Sequence, residues 1–541
     1  MRLRPGRGAA RPLVVVGAAA ALIAGAASAP TALDLGPALA ATPTTPERSG
    51  PSERAVDRAG LVCPGPEQQG LADSSVPELE QDVTVEAATA PGEVLPDALA
   101  DDGGGGAQVS LRRLSGSGLG TIDDRGSVLR AEIDEADGVA IAARGTLSPG
   151  LSAVQLYLGA QEQQLGLSLT PCVSPAESSW LVAGGDPVGR SERLVLVNPG
   201  FSAVDVRVEV LGARGASGSR SADASGTVVA LEAGEREILL LDALAPGVAS
   251  PTVQVTASPG PVSAFLGDRW LEGSTDAGMH LTAPVADPAT SHVLSSFQSA
   301  SPEGSQKKAS STGDDESVVV RAAVPGSSAA VVGVRALTPA GPVRLDAGAT
   351  VVQGRASEDI TVGGLPEDSY ALEVTSDRPV VAAAQTRSSA NAESARDLAW
   401  SPALPALGAL GGTPLPQPGS GADVDYSLDL SAPRGGTARV VMAHPTGETD
   451  SESVDVPRGH SVRRDLGGAA GVWVVPESGR VYASVAAQSR LRPRPADDQV
   501  ETSAAAERTR TEGEPVSLLS VLALPDLTLT RPVLDLAPDV P

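Results

Sequence analysis

Apolar and polar residues alternate along most of this chain with the two-residue period of half-buried β-strands. The clearest run is Ala203–Val210. Val204, Val206, Val208 and Val210 fall on one face of it, and Asp205, Arg207 and Glu209 on the other. Residues 193–197, 228–231, 237–241, 252–256 and 262–266 read as further short strands. Ala233-Gly234 and Ser258-Pro259-Gly260 read as the turns between them. Helical periodicity is nearly absent beyond an N-terminal apolar run, and a proline every dozen residues breaks helices and marks loops and strand edges. Six or seven short strands per ~100 residues predict two-sheet antiparallel sandwiches. The expected fold is therefore all-β: tandem immunoglobulin-like antiparallel β-sandwich domains after an N-terminal apolar helix. A β-propeller with two blades per repeat is the alternative.

The strand pattern recurs four times. One landmark reads Gly138-Val-Ala-Ile-Ala-Ala-Arg144 and returns at Pro261–Gly267, Pro379–Gln385 and Arg480–Ala486, with its valines (Val139, Val262, Val380, Val481) spaced 123, 118 and 101 residues apart. A second landmark ends in Pro171, Pro284, Pro402 and Pro525, at intervals of 113, 118 and 123. A third opens three copies, at Leu194–Pro199, Val318–Pro325 and Ala438–Pro445. This period is too long for a solenoid or a propeller blade of ~40–50 residues and fits a domain duplicated in tandem. The predicted boundaries are a signal peptide or signal anchor at 1–40, a disordered stalk at 41–75 leading to the Cys63 segment, and a β-rich repeat at 76–185. Sandwich repeats follow at 186–297, 317–410 and 425–541, with linkers at 298–316 and 411–424 and a low-complexity insert at 491–514.

The N-terminus refines where the chain goes. Arg2, Arg4, Arg7 and Arg11 precede an uncharged apolar run from Leu13 to about Ala29. A basic region followed by an apolar one is an export signal, either cleaved (Ala38-Leu39-Ala40 offers a site) or retained as a membrane anchor. Both readings place the rest of the chain outside the cytoplasmic membrane. Cys63 and Cys172 are the two cysteines, and in an exported protein an even count suggests a disulfide. Two buried free thiols are the alternative. The bond would close a loop of about 110 residues and contribute roughly 4–5 kcal/mol on the chain-entropy model.

Charge and motifs narrow the function by exclusion. The 541 residues carry 66 acidic and 40 basic side chains, a net charge of −26. Nucleic-acid binding needs the opposite balance. The two lysines, Lys307 and Lys308, sit in a Ser-rich stretch. His280, His292, His444 and His460 form no metal-ligand spacing, and no His lies within ligand spacing of either cysteine. Gly-x-Ser-x-Gly is absent. Gly116–Gly120 reads as a flexible turn rather than a phosphate loop. Asp423, Asp425 and Asp429 have a calcium-like spacing but lack the glycine and glutamate of an EF-hand. Trp180, Trp270, Trp400 and Trp473, about one per repeat, read as one large core residue for each sandwich. No catalytic, cofactor or metal residues are nominated, and the protein is expected not to be an enzyme.

Cys63-Pro-Gly-Pro66, Cys172 before Trp180-Leu-Val-Ala-Gly-Gly185, Leu194-Val-Leu-Val-Asn-Pro-Gly200 and Ala203–Gly212 together give the chain a resemblance. It resembles an uncharacterised actinobacterial family of exported proteins, the domain-of-unknown-function family 5719. The resemblance implies an envelope-associated protein without established activity, with relatives encoded near a membrane glycosyltransferase. It supplies no catalytic residues, and a shared pair of cysteines fits the disulfide. The resulting expectation is a non-enzymatic cell-envelope protein, secreted or anchored, whose tandem sandwiches serve as an interaction or scaffold module. Its partner would be an envelope protein or glycan, with a membrane glycosyltransferase as one candidate. An accessory subunit or enzyme of envelope polysaccharide metabolism is the alternative. A passive rod-like spacer is a third reading.

Overall fold

A computed structural model describes residues 53–532 apart from 71–80, 82, 101–105, 162–163, 214, 218–225, 274, 298–317, 364, 366–369, 388–396, 420–422 and 493–515. The signal segment, residues 41–52 and 71–75 of the expected stalk, Lys307, Lys308 and the insert from residue 493 lie outside the described residues, whereas residues 53–70 of that stalk are ordered and carry strands Glu53–Ala55 and Arg58–Cys63. What is described is almost entirely antiparallel strand, arranged as four two-sheet sandwiches. Among the described residues no helix is long and apolar enough to cross a membrane.

Each sandwich has an inner and an outer sheet. The inner sheet of the first contains, in spatial order, Val128–Ile133, Val83–Thr89, Leu151–Gly159 and Gly166–Pro171. The second repeats this order with Arg236–Leu240, Arg190–Val197, Ser263–Glu272 and Thr275–Thr282. The fourth does so with His460–Asp465, Asp425–Ala432, Tyr482–Leu491 and Val516–Ala523. In the third, the long strand Tyr370–Arg387 passes through both sheets. Its second half joins Ala356–Val362, Val318–Val324 and Leu398–Leu404 in the inner one. These orders are not the meander of four consecutive strands that builds a propeller blade. Neither sheet is polar at the shared interior: Val109, Leu111 and Ile141 of the first outer sheet meet Val85, Ala87 and Ile133 of the inner one.

The two sheet types carry different sequence patterns for a physical reason. Outer strands such as Val204–Gly212 and Ala330–Thr338 alternate buried and exposed positions, because one face meets water. Inner strands such as Val83–Thr89 are buried at every position. Their second face packs on a neighbouring sandwich. Val154, Leu156, Leu167 and Leu169 of the first inner sheet thus join one apolar cluster with Leu428, Leu430, Val440 and Val485 of the fourth.

The last strand of each inner sheet lies at the centre of the molecule. Gly166–Pro171 packs on Thr275–Thr282, which packs on Leu398–Leu404, which packs on Val516–Ala523, which returns to Gly166–Pro171. These four axial strands are the second sequence landmark in all four copies. The sandwiches therefore close a ring and do not extend as the rod of the spacer reading. Glu53–Ala55 pairs with Thr530–Pro532 across the closure, and Asp57 meets Arg531 at 2.7 Å.

The other two landmarks are each displaced by one strand in one copy. Val139–Arg144 lies in the outer sheet of the first sandwich. The inner strand matching Ser263–Glu272 is Leu151–Gly159. Gly436–Ala443 likewise lies in the outer sheet of the fourth, and the counterpart of Arg190–Val197 is Asp425–Ala432. His444 is thus not the counterpart of Asn198. Short Val- and Ala-rich strands resemble one another whichever sheet they join, so the slip is invisible without the pairing.

Cys63 and Cys172 form a disulfide with both residues buried. It ties outer strand Arg58–Cys63 to the point where the chain leaves the first axial strand, and Val62 and Val173 pair beside it. The Cys63 segment is therefore part of the first sandwich. Trp180, by contrast, lies on Ser178–Val182 in the outer sheet of the second.

Candidate functional site

The axial strands are apolar by sequence, yet they enclose a cluster of ionisable groups. Asp397, fully buried just before Leu398–Leu404, is the hub. Its Oδ2 accepts the backbone N–H of Leu167 (3.3 Å) and of Leu519 (2.9 Å), and its Oδ1 accepts that of Leu398 (2.9 Å). The N–H of Met279 is a further donor. One carboxyl group thus gathers a backbone donor from the axial strand of every repeat. The first and second repeats carry glycine at the aligned position, Gly166 and Gly278. A Cβ on Gly278 would come within 2.7 Å of Asp397 Oδ1 and 2.4 Å of the Leu398 nitrogen. Glycine there makes room for the carboxyl group of another repeat.

Around this hub, Ser520 Oγ accepts the Leu169 N–H at 2.8 Å and meets His280 Nε2 at 3.0 Å. Asp276 Oδ2 accepts the Leu165 N–H at 3.1 Å. Glu67 is buried against Gly267, where a Cβ would stand 1.7 Å from Glu67 Oε2. A cavity of about 10 Å³ lies between Glu67, Gln81, Tyr157, Ser168 and Thr170, at the lower limit for one water molecule.

Between the second and third sandwiches Asp268 holds a second cluster. It accepts Arg190 Nε at 2.8 Å and Arg190 Nη2, Trp400 Nε1 at 2.7 Å and the Gly184 N–H at 3.1 Å. Arg321 of the third sandwich stacks on Trp400 at 4.9 Å and donates to the carbonyls of Ala183 (2.8 Å) and Pro251 (2.9 Å) in the second. Trp400 belongs to the third repeat but is buried in the apolar cluster of the second. Trp473 seals the seam between the fourth and first sandwiches with Val94, Leu95 and Leu410. Trp270 is half-buried under Arg387, 4.1 Å away. The tryptophans therefore concentrate at seams, not one to a core, because a seam between two curved sheets leaves larger gaps than Val and Ala can fill.

Burial perturbs these groups. It pushes Asp397 up to about 8 against the pull of its backbone donors. It pushes Glu67 up to about 7 against Gln68 and Arg193, and Asp276 up to about 6 against Arg269. Glu192 rises to about 7 through burial and the charge of Asp268. His280 is pushed down to about 4 by burial. For Asp268, burial is outweighed by Arg190 and the Trp400 and Gly184 hydrogen bonds, so its carboxyl stays below the ordinary range.

These directions fix a pH dependence. Carboxyls with raised values contribute stability that is complete below their unfolded-state values and is lost as pH rises through the folded-state ones. Glu67, Glu192, Asp276 and Asp397 thus all weaken the fold between about pH 4 and pH 8. His280, kept neutral, acts oppositely: its contribution is present above 6.5 and lost as pH falls towards 4. His292, also held below its ordinary value by burial, acts in the same sense as His280, and the four carboxyls outweigh the two imidazoles. The expected result is a melting temperature that falls by several degrees from pH 5 to pH 8, read by calorimetry in matched ionic strength.

At the other end of the axial strands lies a cleft of about 530 Å³. Three connections between sandwiches line it, through Val173–Trp180, Pro284–Ala289 and Leu404–Ala406. Arg480 and Tyr482 of the fourth sandwich complete it. Trp180, Ser179, His292 and Val285 are buried at the cleft, and Ser174, Ser178, Ser291, Asp287 and Arg480 are exposed at its rim. His292 Nε2 is 2.7 Å from the Val380 carbonyl, and burial holds its pKa below the ordinary value.

The residues singled out in the sequence are not brought together. His280 and His292 are buried, whereas His444 pairs with Asp450 at 2.8 Å in an outer-sheet hairpin. Asp429 is engaged by Arg463 (2.8 and 2.6 Å), while Asp423 and Asp425 point to solvent. Gly116 lies in the turn before strand Gly118–Ile122, which reaches Gly120. Among the described residues no cluster of three His, Cys, Asp or Glu could hold a metal ion. Asp397 and the cleft escaped sequence reasoning. The signal for Asp397 was a lone carboxylate where sister repeats have glycine.

The fold and its axis define an all-β protein of four fused immunoglobulin-like sandwiches closed into a ring. The chain belongs to a family of unknown function, DUF5719, which it matches over residues 128–467, more than half its length. No curated protein matches it. Among solved structures, the chain is similar to a "Biofilm associated protein - BSP domain" at 8% identity and a TM-score of 0.16, covering 87% of this chain and 96% of that one. It is also similar to a "tetra-tandem repeat in extending region of large adhesion protein" at 13% identity and a TM-score of 0.09, covering 79% and 94%. Neither superposition is close enough to carry an inference.

Proposed function

We propose that this is a non-enzymatic, exported cell-envelope protein whose four sandwiches form one rigid binding scaffold. The observation that carries the reading is the convergence of three inter-sandwich connections and the fourth sandwich on a single open cleft. A ring held by buried polar hubs keeps such a cleft preorganised, which lowers the entropic cost of binding. Export is supported by the basic-then-apolar N-terminus and by the disulfide, since structural disulfides persist outside the cytoplasm. The chain would be secreted or held at the membrane by its N-terminal segment. Its partner would be an envelope protein, with a membrane glycosyltransferase among the candidates, or a glycan. Against the alternative of an envelope polysaccharide enzyme stands the placement of the carboxyls with raised pKa. They sit in the seams, and the cleft is lined by one carboxylate, Asp287.

The test is cross-linking on intact cells of the source organism. Deleting a repeat would open the ring, so the comparison is with Arg480→Glu at the rim. One envelope component captured by the wild-type chain and lost with R480E supports the reading. Capture of nothing above background, or localisation of the chain to the cytoplasm, sinks it.

A further inference from the structure

Three features of the cleft select a ligand class. First, its walls combine flat apolar surfaces with hydroxyl groups. Tyr482, Pro284 and Pro405 supply the surfaces over a floor closed by the buried Trp180, and Ser174, Ser178 and Ser291 supply the hydroxyls. In a chain with four Trp and four Tyr, one of each lines the same cleft. Second, its two charged lining residues, Asp287 and Arg480, have opposite sign, and the chain as a whole carries −26. A strongly anionic ligand would meet a repulsive field, and a cationic one would find a single carboxylate. Third, much of the local backbone is already paired. The Trp180 carbonyl accepts the Val285 N–H (2.9 Å), Ala176 and Val262 bond to each other (2.9 and 3.0 Å), the Ala286 N–H is held by Ala403 (3.1 Å), and the Leu407 N–H by Val481 (2.9 Å). These commitments disfavour an extended peptide, which binds by adding a strand to a free edge.

From this we infer that the cleft binds a neutral, polyhydroxylated ligand, a short oligosaccharide, with the half-buried Tyr482 ring as its stacking surface, Trp180 forming the buried floor, and the rim serines as hydrogen-bonding groups. The inference rests on the binding-scaffold reading and names the ligand of its cleft. Its volume lies within the ~300–1,000 Å³ of small-molecule sites. Sugar rings present apolar C–H faces and an equator of hydroxyls, which matches aromatic surfaces bordered by serines.

The experiment titrates the purified full chain with cellohexaose, maltohexaose, mannohexaose and, as a rival, a proline-rich decapeptide, following tryptophan fluorescence and calorimetric heat. The expected result is saturable binding of at least one oligosaccharide, weakened about tenfold by Tyr482→Ala at a temperature where that variant is fully folded, since Tyr482 also packs on Val293, Leu337 and Ala371. Ser178→Ala, at an exposed rim position, serves as a second variant and should weaken the same ligand. Three results overturn the inference: no oligosaccharide binds; one binds but neither variant weakens it; or the peptide alone binds. In the last case the scaffold reading survives, because the cleft is still a binding site. Failure of that reading shows separately, as the absence of any captured partner on cells.

Discussion

Asp397→Ala should destabilise the protein by about 4 kcal/mol or more. The side chain is fully buried and receives backbone N–H groups from Leu167, Leu398, Leu519 and Met279, one from each repeat. Removing it leaves those donors without their acceptor in a dry interior, and each unmade hydrogen bond there costs roughly 1–3 kcal/mol. It also leaves a void at the point where the four axial strands meet. The loss should show in urea unfolding as a lower midpoint. It should also show as a broader transition, because the hub is one of the contacts that tie the four sandwiches into a single cooperative unit. Asp423→Ala, at an exposed carboxylate, is the control and should stay within about 0.5 kcal/mol. A change below about 1 kcal/mol in Asp397→Ala would show that the ring does not depend on its axis.

The second large effect concerns Asp268. Asp268→Asn leaves the Arg190 guanidinium, buried beneath Trp270 and Trp400, without its counter-charge. Breaking a buried ion pair on one side costs about 3–5 kcal/mol, whereas replacing both partners costs far less. The double variant Asp268→Asn with Arg190→Met should therefore be more stable than Asp268→Asn alone. That sign reversal, read as a positive coupling in a double-mutant cycle, separates an electrostatic role from simple packing. If the double variant is the less stable one, the pair is held by shape and not by charge. The consequence would reach beyond the second sandwich, since Trp400 Nε1 also donates to Asp268 and Arg321 rests on the Trp400 ring.

Both predictions concern residues that no motif announces. Asp397 and Asp268 are ordinary aspartates among 66 acidic side chains. What distinguishes them is which strands surround them, and that depends on how the sandwiches pack. Asp397 left one trace in the sequence, a carboxylate in the repeat position that Gly166 and Gly278 occupy. The cleft left none, because its lining comes from connections spread between Val173 and Tyr482.

The sequence by itself determined the all-β class and the fourfold repeat, and it favoured sandwiches over a propeller and a Cys63–Cys172 disulfide over two free thiols, both of which the structure then settled. Strand alternation is a local property, written in the period of Val204, Val206, Val208 and Val210. Landmark spacing reports a duplication directly, and two cysteines admit one internal bond. Tertiary structure alone decided the closed ring, the doubly buried inner sheets, the tryptophans at the seams and the axial carboxyl hub. Strands such as Val139–Arg144 and Leu151–Gly159 look alike in sequence because burial on one face or both needs the same small apolar residues. Which face meets a neighbour is set by contacts between residues hundreds of positions apart, and a two-residue period does not encode them.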